Sequence, residues 1–356
     1  MRDRLIAVLF CMLLFLTGTG SAFAQPPREL YFPSSDSTWE SVTPDSLGWD
    51  PAGVEDVCRF VESTNGKSFL VLQDGRIVVE RYWTPAGVRH AQYVMSSGKS
   101  ITAFLVGIAQ EQKKLQLDQP VSDFLGAGWS RTTPARERAI QIRHLLQMTS
   151  GLNSRLEYQG PPGVIWRYNT EAYQQLHPLL EQAVGTPMQE FSKRVLFEPM
   201  GMKNSEFRFH SFVMNARDMG RFGMLIQGQG QWNERPIMND RQFFDEMLNS
   251  SQSLNPAYGY LWWLNGRESF RSVGVQRGIL PGALVPNAPQ DMVSANGRGG
   301  QRIFVVPSLG LVVVRLGENP ALGVRGVAAA EADGTQGKFD NQLWNKLMAA
   351  IQPKSE

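Results

Sequence analysis

Met95-Ser96-Ser97-Gly98-Lys99-Ser100-Ile101-Thr102 is the stretch that decides how this chain is read. Downstream of Gly98, apolar residues fall at Ile101, Phe104, Leu105 and Ile108, and this three-and-four spacing marks one buried face of a helix. Positions three apart share a helical face, so Ser96 and Lys99 can meet at the helix mouth. A partly buried lysine is biased toward its neutral form, because desolvation disfavours the charge, and it can then accept a serine proton. Backbone N–H groups at a helix N-terminus also favour developing negative charge. The competing reading makes Ser96 a helix cap and leaves Lys99 in solvent. A phosphate-binding P-loop would need a glycine where Tyr93 stands, which disfavours it.

The chain has 356 residues, a net charge of +2 with both signs interspersed, and 42% hydrophobic residues. That charge pattern makes nucleic acid an unsuitable partner, and the apolar content supports a sizeable core. Arg2 and Arg4 precede an apolar run from Leu5 to Leu16, and Ala22-Phe23-Ala24 follows as a small-x-small site. Residues 1–24 therefore read as a secretory signal peptide cleaved after Ala24, giving a periplasmic or secreted protein with no stable membrane anchor. Cys11 lies within the apolar run, which argues against a lipoprotein. The mature chain would keep Cys58 alone, among Val54, Val57, Phe60 and Val61, as a buried structural thiol.

In chain order, residues 25–48 read as an irregular arm. Asp50-Pro51 opens a helix, with Asp50 as N-cap and Pro51 at the first position. The runs 68–72 and 76–82 flank Gln73-Asp74-Gly75, a hairpin signal. From Ile140 to about Leu248 the pattern is mainly helical, including Glu171 to Val184. Strand character returns at Tyr258–Trp263, Arg302–Val306 and Leu311–Arg315, and a helix over Asp340–Ile351 closes the chain. The expected fold is mixed α/β. Residues 49–114 and 250–356 form one domain, an antiparallel sheet flanked by N- and C-terminal helices, and residues 115–249 form a mainly helical insertion. Catalytic groups would sit at the junction.

Four motifs in order carry a resemblance. They are Ser96-Ser97-Gly98-Lys99, the stretch from Ile140 to Gly151, the stretch from Pro162 to Tyr173 with Tyr168 and Tyr173, and Gly297-Arg298-Gly299-Gly300-Gln301 before a Val-rich strand. In this order they resemble the class C β-lactamase-like serine hydrolases. That superfamily includes penicillin-binding proteins, D-Ala-D-Ala carboxypeptidases, esterases and 6-aminohexanoate-dimer hydrolase, the last closest in motif style. The resemblance implies Ser96 as nucleophile, Lys99 as base and Tyr168 as proton relay. It implies an oxyanion hole from the backbone N–H groups of Ser96 and Arg298, and substrate contacts from Thr170, Gly297, Gly299 and Gly300. A phenol of pKa about 10 serves as such a relay only beside a cation that stabilises its phenolate. Read alone, Tyr168 fits an aromatic wall better than a relay, and the three glycines fit a simple turn equally well.

Two departures bear on substrate. Thr170 stands where the family has asparagine, and Ala295-Asn296-Gly297 replaces the Lys-Thr-Gly or His-x-Gly triad. The missing cation disfavours β-lactams and peptide carboxylates, so a small ester or amide is expected, with neither metal nor organic cofactor. A D-Ala-D-Ala carboxypeptidase or β-lactamase is the alternative enzyme, and a penicillin-binding covalent sensor without turnover is the alternative of another class. No Gly-x-Ser-x-Gly elbow occurs, His90, His144, His177 and His210 lack metal-ligand spacing, and His144 reads as structural. Arg267, Arg271 and Arg298 are cations that an anionic substrate group could use, though such scattered arginines are more often surface residues.

Overall fold

The computed structural model describes residues 29–35, 38–273, 278–320 and 335–352. The leader expected over residues 1–24 lies outside them. Among the described residues, no helix is long and apolar enough to cross a membrane.

The hairpin forms where the turn residues place it. Strands β1 (Gly66–Gln73) and β2 (Arg76–Tyr82) pair antiparallel. The turn between them uses Asp74 at φ 47° and Gly75 at φ 89°, both left-handed, as a two-residue turn between twisted strands requires. The C-terminal part adds β3 (Trp263–Leu264), β4 (Val293–Gly297), β5 (Gln301–Val306) and β6 (Leu311–Gly317). The six strands are ordered β2-β1-β6-β5-β4-β3, so the two ends of the chain meet where β1 pairs with β6. β6 is buried along its whole length, which explains its run of valines and leucines, interrupted by Arg315.

Helices cover both faces. On one face, α1 (Pro51–Ser63) packs with the C-terminal helix α6 (Thr335–Ile351) over Phe69, Val71, Phe304 and Val313. The α1 start is tied as expected: the Asp50 carboxylate accepts from the Ala52 and Gly53 N–H groups at 2.9 and 3.0 Å. Cys58 is buried on this face, and desolvation pushes its thiol up to about 11, so it is an inert core group. The opposite face is covered by α2 (Gly98–Glu111) and α5 (Ala216–Gln227). Beyond α2 lie the short helices, among them α3 (Thr170–Gln174) and α4 (Leu176–Val184). α2 is buried almost all round because it runs between the sheet and these helices.

Three segments differ from their sequence reading. Tyr258–Trp263 is not a strand; ladder pairing is confined to Trp263–Leu264 and an isolated bridge between Tyr258 and Trp263. Leu261 takes a left-handed φ of 60°, its carbonyl accepts from Ser100 Oγ at 2.7 Å, and its N–H donates to Leu146. The aromatic density that suggested a strand packs instead around the mouth of α2. The helical pattern from Glu171 to Val184 is split into α3 and α4, and α6 starts at Thr335, ahead of the expected Asp340.

Candidate active site

Ser96 sits in a single 3₁₀ turn, Met95–Ser97, that runs directly into α2. Two constraints aim it. Met95 is held at φ 52°, a conformation a non-glycine side chain adopts only when its surroundings impose it. The preceding strand Ala91–Tyr93 is anchored to Ser211–Asn215, and Val94 N–H continues that ladder to Phe212 O. Gly98 is required by close packing, since a Cβ there would lie 2.9 Å from the Phe212 ring.

Lys99, the second residue of α2, donates from Nζ to Ser96 Oγ at 3.1 Å. Lys99 is only 4% exposed, which rules out the solvated reading of this residue. Burial pushes its amine from 10.5 down to about 7; Glu171 works against that shift and Arg298 adds to it. An amine with this proton affinity is substantially neutral near pH 7 and can take a hydroxyl proton.

Two tyrosine rings border the amine. The Tyr173 centroid is 4.4 Å from Lys99 Nζ and the Tyr168 centroid 5.2 Å. Tyr173 is buried, its hydroxyl is 2.9 Å from both Thr102 Oγ1 and His177 Nε2, and desolvation drives its pKa up. That phenol is locked into the core behind α2. Tyr168 is half-buried, stacked on Trp263 at 6.1 Å and edge-on to Tyr258 at 6.4 Å. Trp166 closes the same cluster against Tyr258 and Trp263. The result is an aromatic wall beside Ser96.

The turn after β4 approaches Ser96 from the sheet. Ser97 Oγ donates to Ala295 O at 3.2 Å and Gln301 O at 3.0 Å, which pins the Met95–Ser97 turn to the β4–β5 hairpin. The glycines there answer to the protein's own packing. A Cβ on Gly297 would collide with Val94 O and lie 2.9 Å from Ser97 Oγ. Gly299 and Gly300 have φ 78° and 73°, and a Cβ on Gly300 would run into the Arg315 guanidinium. Gln301, buried, ties this turn to Gln92 and to Gly317.

A family model for Beta-lactamase matches residues 55–333. The chain belongs to the Beta-lactamase family. It is 27% identical over 164 residues to a Bacillus subtilis (strain 168) protein named as penicillin-binding protein PbpX, a match covering 39% of this chain and 40% of that one. It thus spans well under half the length of that relative. Among solved structures, it is similar to one named as a 6-aminohexanoate-dimer hydrolase from Bacillus anthracis, at 14% identity and TM-score 0.63, covering 88% of this chain and 90% of the other. It is also similar to EstCE1, a hydrolase with promiscuous acyltransferase activity, at 16% identity and TM-score 0.61, covering 85% and 99%.

Within this Beta-lactamase family chain, the remaining candidates are placed as follows. Thr170 opens α3 half-buried, and among the described residues its hydroxyl makes no hydrogen bond to Lys99. Its neighbour Asn169 is the anchored residue: the Asn169 amide donates to Leu152 O and Asn153 O, and its carbonyl accepts from Ala172 N–H. His144 is structural, with Nδ1 accepting from Gln141 N–H and burial pushing its pKa down to about 4. Ala295 is wholly buried under the sheet, so no side-chain cation occupies that point of β4. Sequence reasoning assigned no role to Trp263 and Tyr258, read as strand residues, or to Arg302 and Arg315, read as part of apolar strands. The dense aromatic run from Tyr258 to Trp263 was the available signal for the first pair. A charged residue inside each β-branched run was the signal for the second.

Proposed function

We propose that this chain is a serine hydrolase that works through an acyl-enzyme on a small ester or amide. Neutral Lys99 takes the Ser96 hydroxyl proton as Oγ attacks the substrate carbonyl. The resulting oxyanion is held by the Ser96 and Arg298 backbone N–H groups. Tyr168 relays the proton to the departing alcohol or amine, the role its motif implies, and its ring borders the Lys99 amine. Water then attacks the acyl-enzyme by the reverse route, Ser96 recovers its proton, and no metal or organic cofactor takes part. The observation that carries this reading is the 3.1 Å contact between Ser96 Oγ and a buried lysine whose pKa is lowered to about 7.

The substrate class follows from the surroundings. Trp166 and Tyr168 offer an apolar surface, and Ala295 stands where the family resemblance expects a cation. An uncharged acyl group suits such a site better than a carboxylate-bearing peptide or β-lactam. The proposed setting is the periplasm or the exterior, from the signal-like N-terminus. Ser96→Ala should abolish p-nitrophenyl butyrate turnover while leaving the circular-dichroism spectrum unchanged; persistent turnover would remove Ser96 from the mechanism. Pre-steady-state kinetics separate an enzyme from an acylated sensor, because the sensor stops after one equivalent of p-nitrophenol.

A further inference from the structure

On the sheet face away from α2, two arginines lie wholly within the protein directly behind the β4–β5 turn. Arg302 and Arg315 are cross-strand partners on β5 and β6, 1% and 0% exposed. Arg302 Nε donates to both carboxylate oxygens of Asp340 on α6, at 2.9 and 3.1 Å. Its Nη1 donates to Gly297 O at 2.8 Å and Gln301 O at 3.0 Å. Arg315 donates to Gly299 O at 3.0 Å, Gly300 O at 2.9 Å and Thr64 O at 2.6 Å. Two guanidiniums thus take up the carbonyls of Gly297, Gly299 and Gly300. Burying such charge costs several kcal/mol per ion, and apolar residues of similar volume usually serve stability at least as well. Stability alone does not account for the arrangement.

The peptide geometry supplies another role. Gly297 C=O and Arg298 N–H belong to one peptide unit, and the described residues contain no cis bond. In a trans unit the two groups point in opposite directions. Arg302 draws the carbonyl inward toward β5, so the Arg298 N–H must turn outward over the other edge of β4. That edge is open there, because β3 pairs with Val293 and Ser294 and ends. The Met95–Ser97 turn packs on the same hairpin: Ser97 Oγ donates to Ala295 O and Gln301 O, and a Cβ on Gly297 would lie 2.9 Å from that hydroxyl oxygen.

We propose that Arg302, held by Asp340, is a positioning residue of the oxyanion hole: it fixes the Gly297–Arg298 peptide so that the Arg298 amide is aimed at the substrate carbonyl oxygen. Arg315 keeps the same turn from rolling by holding its next two carbonyls. This rests on the serine-hydrolase reading and on Arg298 N–H as the second donor. The arginine does not touch substrate; it acts through the backbone.

The test compares Arg302→Lys and Asp340→Asn with the parent enzyme, using p-nitrophenyl butyrate and a boronic acid that forms a tetrahedral adduct on Ser96. Rates are normalised to active sites titrated by the p-nitrophenol burst. The expected result is a roughly 10- to 100-fold fall in kcat with KM nearly unchanged, and a parallel loss of boronate affinity, larger for Arg302→Lys. A structural role alone would lower the unfolding midpoint but leave kcat per titrated site and boronate affinity at the parental level, and that result overturns the proposal. If Arg302→Lys does not fold, Asp340→Asn decides by the same readings; if neither folds, the pair belongs to the fold and the proposal fails. Turnover retained by Ser96→Ala would instead defeat the hydrolase reading, so the two failures are distinguishable.

Discussion

Replacing Lys99 by methionine should make the protein more stable and inactive at once. The shift of the amine from 10.5 to about 7 corresponds to about 5 kcal/mol against the charged form in the folded state. At pH 7 the unfolded chain keeps this lysine protonated while about half the folded molecules have lost the proton, leaving a folding penalty of about 4 kcal/mol. Methionine has similar length and no charge, so Lys99→Met relieves that penalty. It also forfeits the amine's contacts with the Tyr168 and Tyr173 rings and its hydrogen bond to Ser96, so a net gain of about 1–3 kcal/mol is expected. The sign of the pH dependence follows from proton counts. Between about pH 7 and 10.5 the unfolded state binds more protons than the folded one, so wild-type stability rises with pH and the variant's advantage shrinks. Below about pH 7 the advantage is constant and largest. Urea unfolding at pH 6, 7.5 and 9 measures this directly. The same group sets the activity profile: wild-type kcat/KM for a p-nitrophenyl ester should rise with pH and level off above about 7, as Lys99 becomes neutral. A variant less stable than wild type at pH 6, or a rate profile still climbing toward pH 10, would refute the neutral-amine argument.

The two tyrosines should separate cleanly by mutation. Tyr168→Phe keeps the stack on Trp263 and should lower kcat by about 10²- to 10⁴-fold with little change in the urea midpoint. Tyr173→Phe removes a hydroxyl bonded to Thr102 and His177, and should cost about 1 kcal/mol of stability with a much smaller effect on kcat; equal kinetic losses would put the relay assignment in doubt. Gly297→Ala forces a methyl group onto Val94 O and the Ser97 hydroxyl, so it should destabilise by about 1–3 kcal/mol and displace Ser96. Its signature is a lower unfolding midpoint together with lost burst amplitude, and parental values for both would contradict the close approach of the hairpin and the Met95–Ser97 turn.

Much of the architecture was readable because it rests on short-range rules. Asp50-Pro51 specifies a helix start by local capping, and Asp74-Gly75 specifies a hairpin because those residues tolerate left-handed φ. Ser96 and Lys99, three residues apart at the start of α2, are brought to one side by the helical period alone. The misread segment is instructive: Tyr258 to Trp263 has strand composition, yet at its centre Leu261 N–H donates to Leu146 O and Leu261 O accepts from Ser100 Oγ. Composition reports a half-buried aromatic surface, and the partner that buries it lies more than a hundred residues away.

The sequence by itself determined that a serine and a lysine share a helical face, that a hairpin precedes them, and that Val-rich strands return before the closing helix; these follow from dihedral preferences and periodicity. Only the tertiary structure decided that Lys99 is buried enough to be neutral, that Tyr173 is tied off while Tyr168 faces Trp263 and Tyr258, and that Arg302 and Arg315 grip the turn behind Gly297. Desolvation and the direction of a carbonyl depend on which atoms converge from distant parts of the chain, and no local pattern encodes that convergence.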